Sequence, residues 1–160
     1  MKDIFAPWRI SYIQSTDKPS GCIFCAFPEQ DRDEENLILH RGERSFVILN
    51  RYPYNSGHLM VVPYRHTSDY CSLTTEEVNE IHNLSSIAIE VMKRTINPEG
   101  FNLGINLGKV AGAGVEDHVH LHIVPRWNGD TNFMPVMGDV RVIPQSLEET
   151  YRVFADSWPR

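Results

Sequence analysis

The sequence predicts an α+β fold with a mainly antiparallel sheet of about five strands, one long helix and a C-terminal helix. Three observations predict it. Short apolar stretches lie in pairs around turn residues, as antiparallel neighbours do. Residues 74–96 keep apolar side chains at helical spacing behind a capping signal. Residues 118–122 read His-Val-His-Leu-His, the two-residue alternation of a strand. Strand pairs, a helix and then further strands are the order of an α+β chain.

Taken in order, residues 1–36 read as loop-rich, with Cys22 and Cys25 in a C-x-x-C pair and an acidic stretch from Glu29 to Glu35. The apolar run Leu37-Ile38-Leu39 leads to a turn at Arg41-Gly42-Glu43. Ser45 to Leu49 reads as a strand, and residues 50–57 as turn chemistry with Pro53, Asn55 and Gly57. His58 to Pro63 is the next strand. Thr74 with Glu77 three residues on makes the capping box of the long helix. Val78, Ile81, Leu84, Ala88 and Val91 follow as its apolar stripe, and Asn97-Pro98 and Gly100 end it. Phe101 to Leu107 is a strand, Gly108 to Gly114 a glycine-rich loop, and the histidine strand runs over 118–125. Ser146 with Glu149 opens a C-terminal helix carrying Leu147, Tyr151, Phe154 and Trp158 on one face.

The chain has 160 residues, enough for one domain with a good core. Fifteen basic residues against 21 acidic ones give a net charge of −6. That argues against extended nucleic acid, which demands clustered positive charge. A small nucleotide in a local pocket is still allowed. No apolar run approaches the roughly 18–20 residues that span a membrane. Met1 to Trp8 lacks a signal-peptide apolar core, so a cytoplasmic location is expected. The Cys22–Cys25 spacing is half of a tetrahedral zinc site. A reduced pair packed as small apolar groups and a redox dithiol are the alternatives.

In a strand, His118, His120 and His122 share one face, about 6–7 Å apart along the chain at a rise of about 3.3 Å per residue. Val119, Leu121 and Ile123 share the other face. Such a row reads as a solvated polar face, as a three-histidine metal site of a metal-dependent hydrolase, or as one nucleophilic imidazole positioned by two others. Asn106 and the loop Lys109 to Gly114 lie just upstream. Glycines let backbone N–H groups approach an anion closely, so the loop favours a phosphate pocket beside the row.

His118-Val-His-Leu-His-Ile-Val-Pro-Arg126 resembles the signature of the histidine-triad (HIT) family. Leu49-Asn50-Arg51 upstream of Gly57-His58, and Pro63-Tyr64-Arg65-His66, resemble further segments of that family. The likeness covers about residues 20–130, with 1–19 as an N-terminal extension and 131–160 as a C-terminal helical tail. Ala6-Pro7-Trp8-Arg9 and the stretch from Pro125 to Met134 resemble the branch of diadenosine tetraphosphate phosphorylases and hydrolases. The resemblance implies a HIT-like fold that forms a homodimer. It implies attack by His120 on the α-phosphorus of a dinucleoside polyphosphate, giving a covalent nucleotidyl-histidine. Inorganic phosphate or water then accepts the nucleotide. His122 contacts the phosphate and assists the leaving group. Asn50 binds ribose and Ile48 lines the adenine pocket. His58 shapes that pocket, and Asn106 with the backbone of Gly112, Ala113 and Gly114 holds phosphate oxygens. One departure stands out: many relatives carry a polar side chain four residues before the first triad histidine, where this chain has Gly114.

The same resemblance implies a structural zinc held by Cys22, Cys25, His66 and His118. A phosphoramidase-like nucleotide hydrolase and a nucleotide-binding sensor are the competing functions. Cys71, His40 and His82 carry no motif and read as structural, and Arg126 reads as one half of an ion pair. Trp8, Trp127 and Trp158 read as core or interface residues, with a substrate-gate role as the alternative for Trp127.

Overall fold

The computed structural model describes residues 21–130 and 145–159. The expectations for residues 1–20 and 131–144 lie outside them. Among the described residues five strands form one sheet: β1 (Ile38–Arg41), β2 (Ser45–Leu49), β3 (Leu59–Pro63), β4 (Gly100–Ile105) and β5 (Leu121–Arg126). Their spatial order is β1-β2-β3-β5-β4, and every neighbouring pair is antiparallel. The last strand therefore enters between β3 and β4. This sets His122 opposite Met60 on one side and Gly104 on the other.

Every residue of β2 and β3 is buried, because both faces of the sheet centre are covered. The long helix α3 (Thr75–Thr95) packs across β2, β3 and β5, and α4 (Leu147–Ser157) packs on α3 and β1. Leu49, Leu59, Val61, Met92 and Phe154 are fully buried between these layers, and Phe46 is fully buried on the other face of the sheet. Each such side chain contributes about 1.5–3 kcal/mol by leaving water. His40 stacks on Trp158 at the end of α4, whereas Cys71 and His82 are exposed. No described helix is long and apolar enough to cross a membrane.

Three sequence expectations shift. First, Ile23–Ala26 and Asp33–Asn36 form single helical turns, α1 and α2, where a loop was expected. Four residues are too few to show helical periodicity, and tertiary contacts hold such turns. Second, β5 begins at Leu121 and not at His118. Residues 118–120 are bound sideways instead: the Val119 N–H goes to the Thr67 carbonyl at 2.7 Å. Third, Val78 is 43% exposed and Glu77 is 5% exposed. Seven residues make about two turns at 3.6 per turn, so position 77 lies in line with Leu84 and Val91 while Val78 is turned off that stripe.

The buried Glu77 closes the capping box. The Thr74 hydroxyl accepts the Glu77 N–H at 3.2 Å, and Glu77 Oε2 accepts the Thr74 N–H at 2.8 Å. Arg65 completes it, donating from Nε and Nη2 to the two carboxylate oxygens at 2.8 and 2.7 Å. These bonds from Arg65 hold the Glu77 carboxyl down to about 2, against the cost of burial. A folded-state value below the ordinary one means the contribution is complete above about pH 4.5 and is lost as pH falls toward 2. Arg65 is 41% exposed, which screens the pair. Glu77→Gln is expected to cost about 1–3 kcal/mol at neutral pH and to flatten the loss of stability below pH 4.5. Thermal unfolding across pH checks both.

Candidate active site and metal centre

α1 closes the Cys22–Cys25 turn, with the Cys25 and Ala26 N–H groups on the Cys22 carbonyl at 3.2 and 3.0 Å. Both sulfurs face the segment that follows β3 and the one that precedes β5. Cys22 Sγ lies 3.2 Å and Cys25 Sγ 3.6 Å from His118 Nδ1. Cys25 Sγ lies 3.3 Å from His66 Nδ1, and the two Nδ1 atoms are 3.3 Å apart. A four-coordinate ion about 2.3 Å from sulfur and about 2.0 Å from nitrogen separates its donors by about 3.3–3.8 Å. The four residues therefore have the spacing of a tetrahedral metal site. Burial, then the adjacent Cys22, push the Cys25 thiol up, an effect that a shared cation reverses.

His118 also decides how the triad is wired. Its Nε2–H donates to the Pro63 carbonyl at 2.7 Å, which leaves the Nδ1 lone pair aimed at the cysteines. Burial holds its pKa below the ordinary 6.5. The His118 carbonyl in turn accepts the Nδ1–H of His120 at 2.7 Å. A carbonyl can only accept, so His120 carries its proton on Nδ1 and its lone pair on Nε2. Burial keeps that ring neutral by lowering its pKa from 6.5. Phe24, 2% exposed, packs against both rings, at 5.5 Å from His118 and 4.9 Å from His120 between centroids.

A second chain of bonds orders His122. The Tyr54 N–H donates to His58 Nδ1 at 3.0 Å, and the Asn50 amide lies 3.4 Å from the same atom. His58 therefore carries its proton on Nε2 and donates it to His122 Nδ1 at 2.9 Å. His122 is left with its proton on Nε2. The His120 and His122 rings meet edge to face at 4.7 Å. One lone pair and one N–H donor are thus held side by side by main-chain groups on two different loops.

A pocket of about 180 Å³ opens beside His122, lined by Tyr54, Asn102, Leu103, Gly104, Asn106 and Val124. A match to the HIT domain family model covers residues 31–129. The chain belongs to the HIT family. AP-4-A phosphorylase of Mycobacterium tuberculosis is 41% identical over 100% of this chain and 86% of that protein. Bis(5'-adenosyl)-triphosphatase of Dictyostelium discoideum is 37% identical over 58% of this chain and 61% of that protein. Among solved structures, a Zn-bound histidine triad family protein from Mycobacterium smegmatis superposes with a TM-score of 0.69 at 30% identity, covering 86% of this chain and 92% of that one.

Within this HIT fold the sequence-predicted residues divide. His58, His118, His120 and His122 come together, Asn50 joins them through His58, and Asn106 lines the pocket. Ile48 lies in β2 between Ile38 and Met60, 3% exposed in the core. The Gly112 and Ala113 N–H groups close on the carbonyls of Lys109 and Gly108, so they point into their own loop. Gly114 lies in the same loop and is exposed. Arg126 pairs with Asp130, and Trp127 Nε1 donates to the Asn97 carbonyl at 3.1 Å. Sequence reasoning missed Phe24, Tyr54 and Asn102. Only Asn102 carried a signal, as a position of β4 in alternation with Gly104 and, just past the strand, Asn106.

A metal ion held by the Cys22, Cys25, His66 and His118 group would join α1 to the triad segment, so its free energy of binding would be folding free energy. Cys25→Ser is expected to lower both the metal content, read by elemental analysis, and the melting temperature. Chelation of the unaltered protein should lower the melting temperature as well, and should leave that of the variant much less affected.

Proposed function

We propose that this HIT-family chain cleaves diadenosine polyphosphates at the α-phosphorus through a covalent nucleotidyl-His120. The observation that carries this reading is the tautomer of His120, whose Nδ1–H on the His118 carbonyl leaves Nε2 as a lone pair. A neutral imidazole in that state attacks phosphorus without further activation. The bond from Nε2 to phosphorus forms, and the bond from phosphorus to the bridging oxygen breaks with its electron pair leaving on oxygen. The imidazolium keeps its Nδ1–H on the His118 carbonyl, which stabilises the new charge. His122 Nε2–H donates to the departing oxygen. An acceptor oxygen then attacks the same phosphorus, the P–N electron pair returns to His120, and the acceptor's proton passes to the solvent or to His122.

Water as acceptor makes the enzyme a hydrolase and inorganic phosphate makes it a phosphorylase. The full-length likeness to AP-4-A phosphorylase favours phosphate. Ile48 and Asn50 are assigned to the nucleoside, His58 to the orientation of His122, and Asn106 and the loop at Gly114 to phosphate oxygens. The Cys22, Cys25, His66 and His118 group is assigned to a structural zinc in a homodimeric protein. Zinc held there would be structural, and these four residues would fix the segment from which His120 projects.

Incubation with diadenosine tetraphosphate, with and without inorganic phosphate, tests the reading. ADP and ATP appearing only with phosphate identify the phosphorylase, and AMP and ATP without phosphate identify the hydrolase. No product under either condition overturns the proposal. His120→Ala is expected to abolish turnover and the mass-detected nucleotide adduct while nucleotide binding survives.

A further inference from the structure

Gly104 sits in the interior of β4, directly opposite His122 of β5. Its backbone is outside the left-handed region, and a Cβ there would meet no atom within 4 Å. Neither conformation nor packing within the chain requires glycine. A glycine in such a place weakens the strand and marks a close approach by a ligand or by another backbone. Here the space it leaves opens on the pocket beside His122, which Gly104 helps to line.

Asn102 lies two positions away on the same face, paired with Val124. Arg126 Nη1–H donates to Asn102 Oδ1 at 2.9 Å. That bond fixes which end of the amide accepts and leaves the NH2 end as a donor for the pocket. Arg126 is itself held by both oxygens of Asp130, and Asp130 Oδ2 also accepts from Asn55 at 2.8 Å. Asn55 adjoins Tyr54, which also lines the pocket. The network therefore joins β4, β5 and the 54–55 loop around one end of the pocket. Its guanidinium is neutralised by Asp130, so the pocket offers amide and imidazole N–H donors and little net charge.

We propose that Gly104 and Asn102 determine which leaving group the enzyme accepts: the pocket beside His122 seats the phosphorylated moiety that departs, with room supplied by Gly104 and a phosphate oxygen held by the Asn102 amide. This rests on the reading that His122 serves the leaving group. The occupant follows from position. The atom that departs from phosphorus must lie at the His122 Nε2–H, and the pocket opens from that ring.

The test compares two substrates that deliver the same nucleotide to His120. Diadenosine tetraphosphate has a large phosphorylated leaving group, and adenosine 5′-phosphorimidazolide has a small, uncharged one. Gly104→Val, with a β-branched side chain suited to a strand, should lower the ratio of kcat/KM for the first over the second by roughly tenfold or more. Asn102→Ala should lower the same ratio, mainly through KM for diadenosine tetraphosphate. Gly104→Ala should give a smaller change in the same direction. Melting temperatures and sedimentation are measured on each variant. An unchanged ratio in Gly104→Val and Asn102→Ala overturns the proposal. Equal losses on both substrates together with altered sedimentation also overturn it, and assign the glycine to a contact between copies. If the unaltered enzyme forms no His120 adduct from either compound, the covalent reading itself fails, a result distinct from an unchanged ratio.

Discussion

The hydrogen bond from His118 Nε2 to the Pro63 carbonyl couples two centres that would otherwise be independent. Its donor nitrogen is used up, so Nδ1 is a lone pair that turns toward Cys22, Cys25 and His66. The carbonyl of the same residue then dictates the tautomer of His120. His118 is 1% exposed, so an unmade bond there costs about 1–3 kcal/mol, more than a surface contact provides. The neighbouring bond from Val119 to Thr67 binds the segment at a second point. Together they hold residues 118–120 against the end of β3 before the regular ladder of β5 begins.

Burial and hydrogen bonding do different work at these rings. His58, His118, His120 and His122 are all buried. Burial lowers the pKa of His118 and His120 and keeps those two rings neutral, and the hydrogen bonds decide where the ring protons sit. Main-chain groups make those decisions: the Pro63 carbonyl for His118, the His118 carbonyl for His120 and the Tyr54 N–H for His58. Backbone groups cannot change their donor or acceptor character, so the pattern is stable to side-chain rearrangement. The site thus depends on how loops are carried past one another more than on the identity of surrounding side chains.

Much of this was legible in the chain. The His-Val-His-Leu-His alternation, the capping box at Thr74 and Glu77, and the C-x-x-C pair are local signals whose physics spans a few residues. The sheet of five strands, the long helix and the C-terminal helix follow from them. The inward turn of Glu77 was missed because its partner Arg65 lies on another element, and hydrophobicity alone favoured Val78. Phe24 and Tyr54 were missed for the same reason, since each packs on a histidine distant in sequence, Phe24 on His120 and Tyr54 on His122.

By itself the sequence determined the element types, the family resemblance and the residue kinds that carry chemistry, because periodicity, caps and short motifs are set by neighbours along the chain. Only the tertiary structure decided that β5 enters between β3 and β4, which nitrogen of each histidine carries the proton, and that the two cysteines meet His66 and His118. Those outcomes depend on hydrogen bonds and metal-donor distances between segments separated by up to 96 residues. No local pattern encodes such distances; the packing of the sheet sets them.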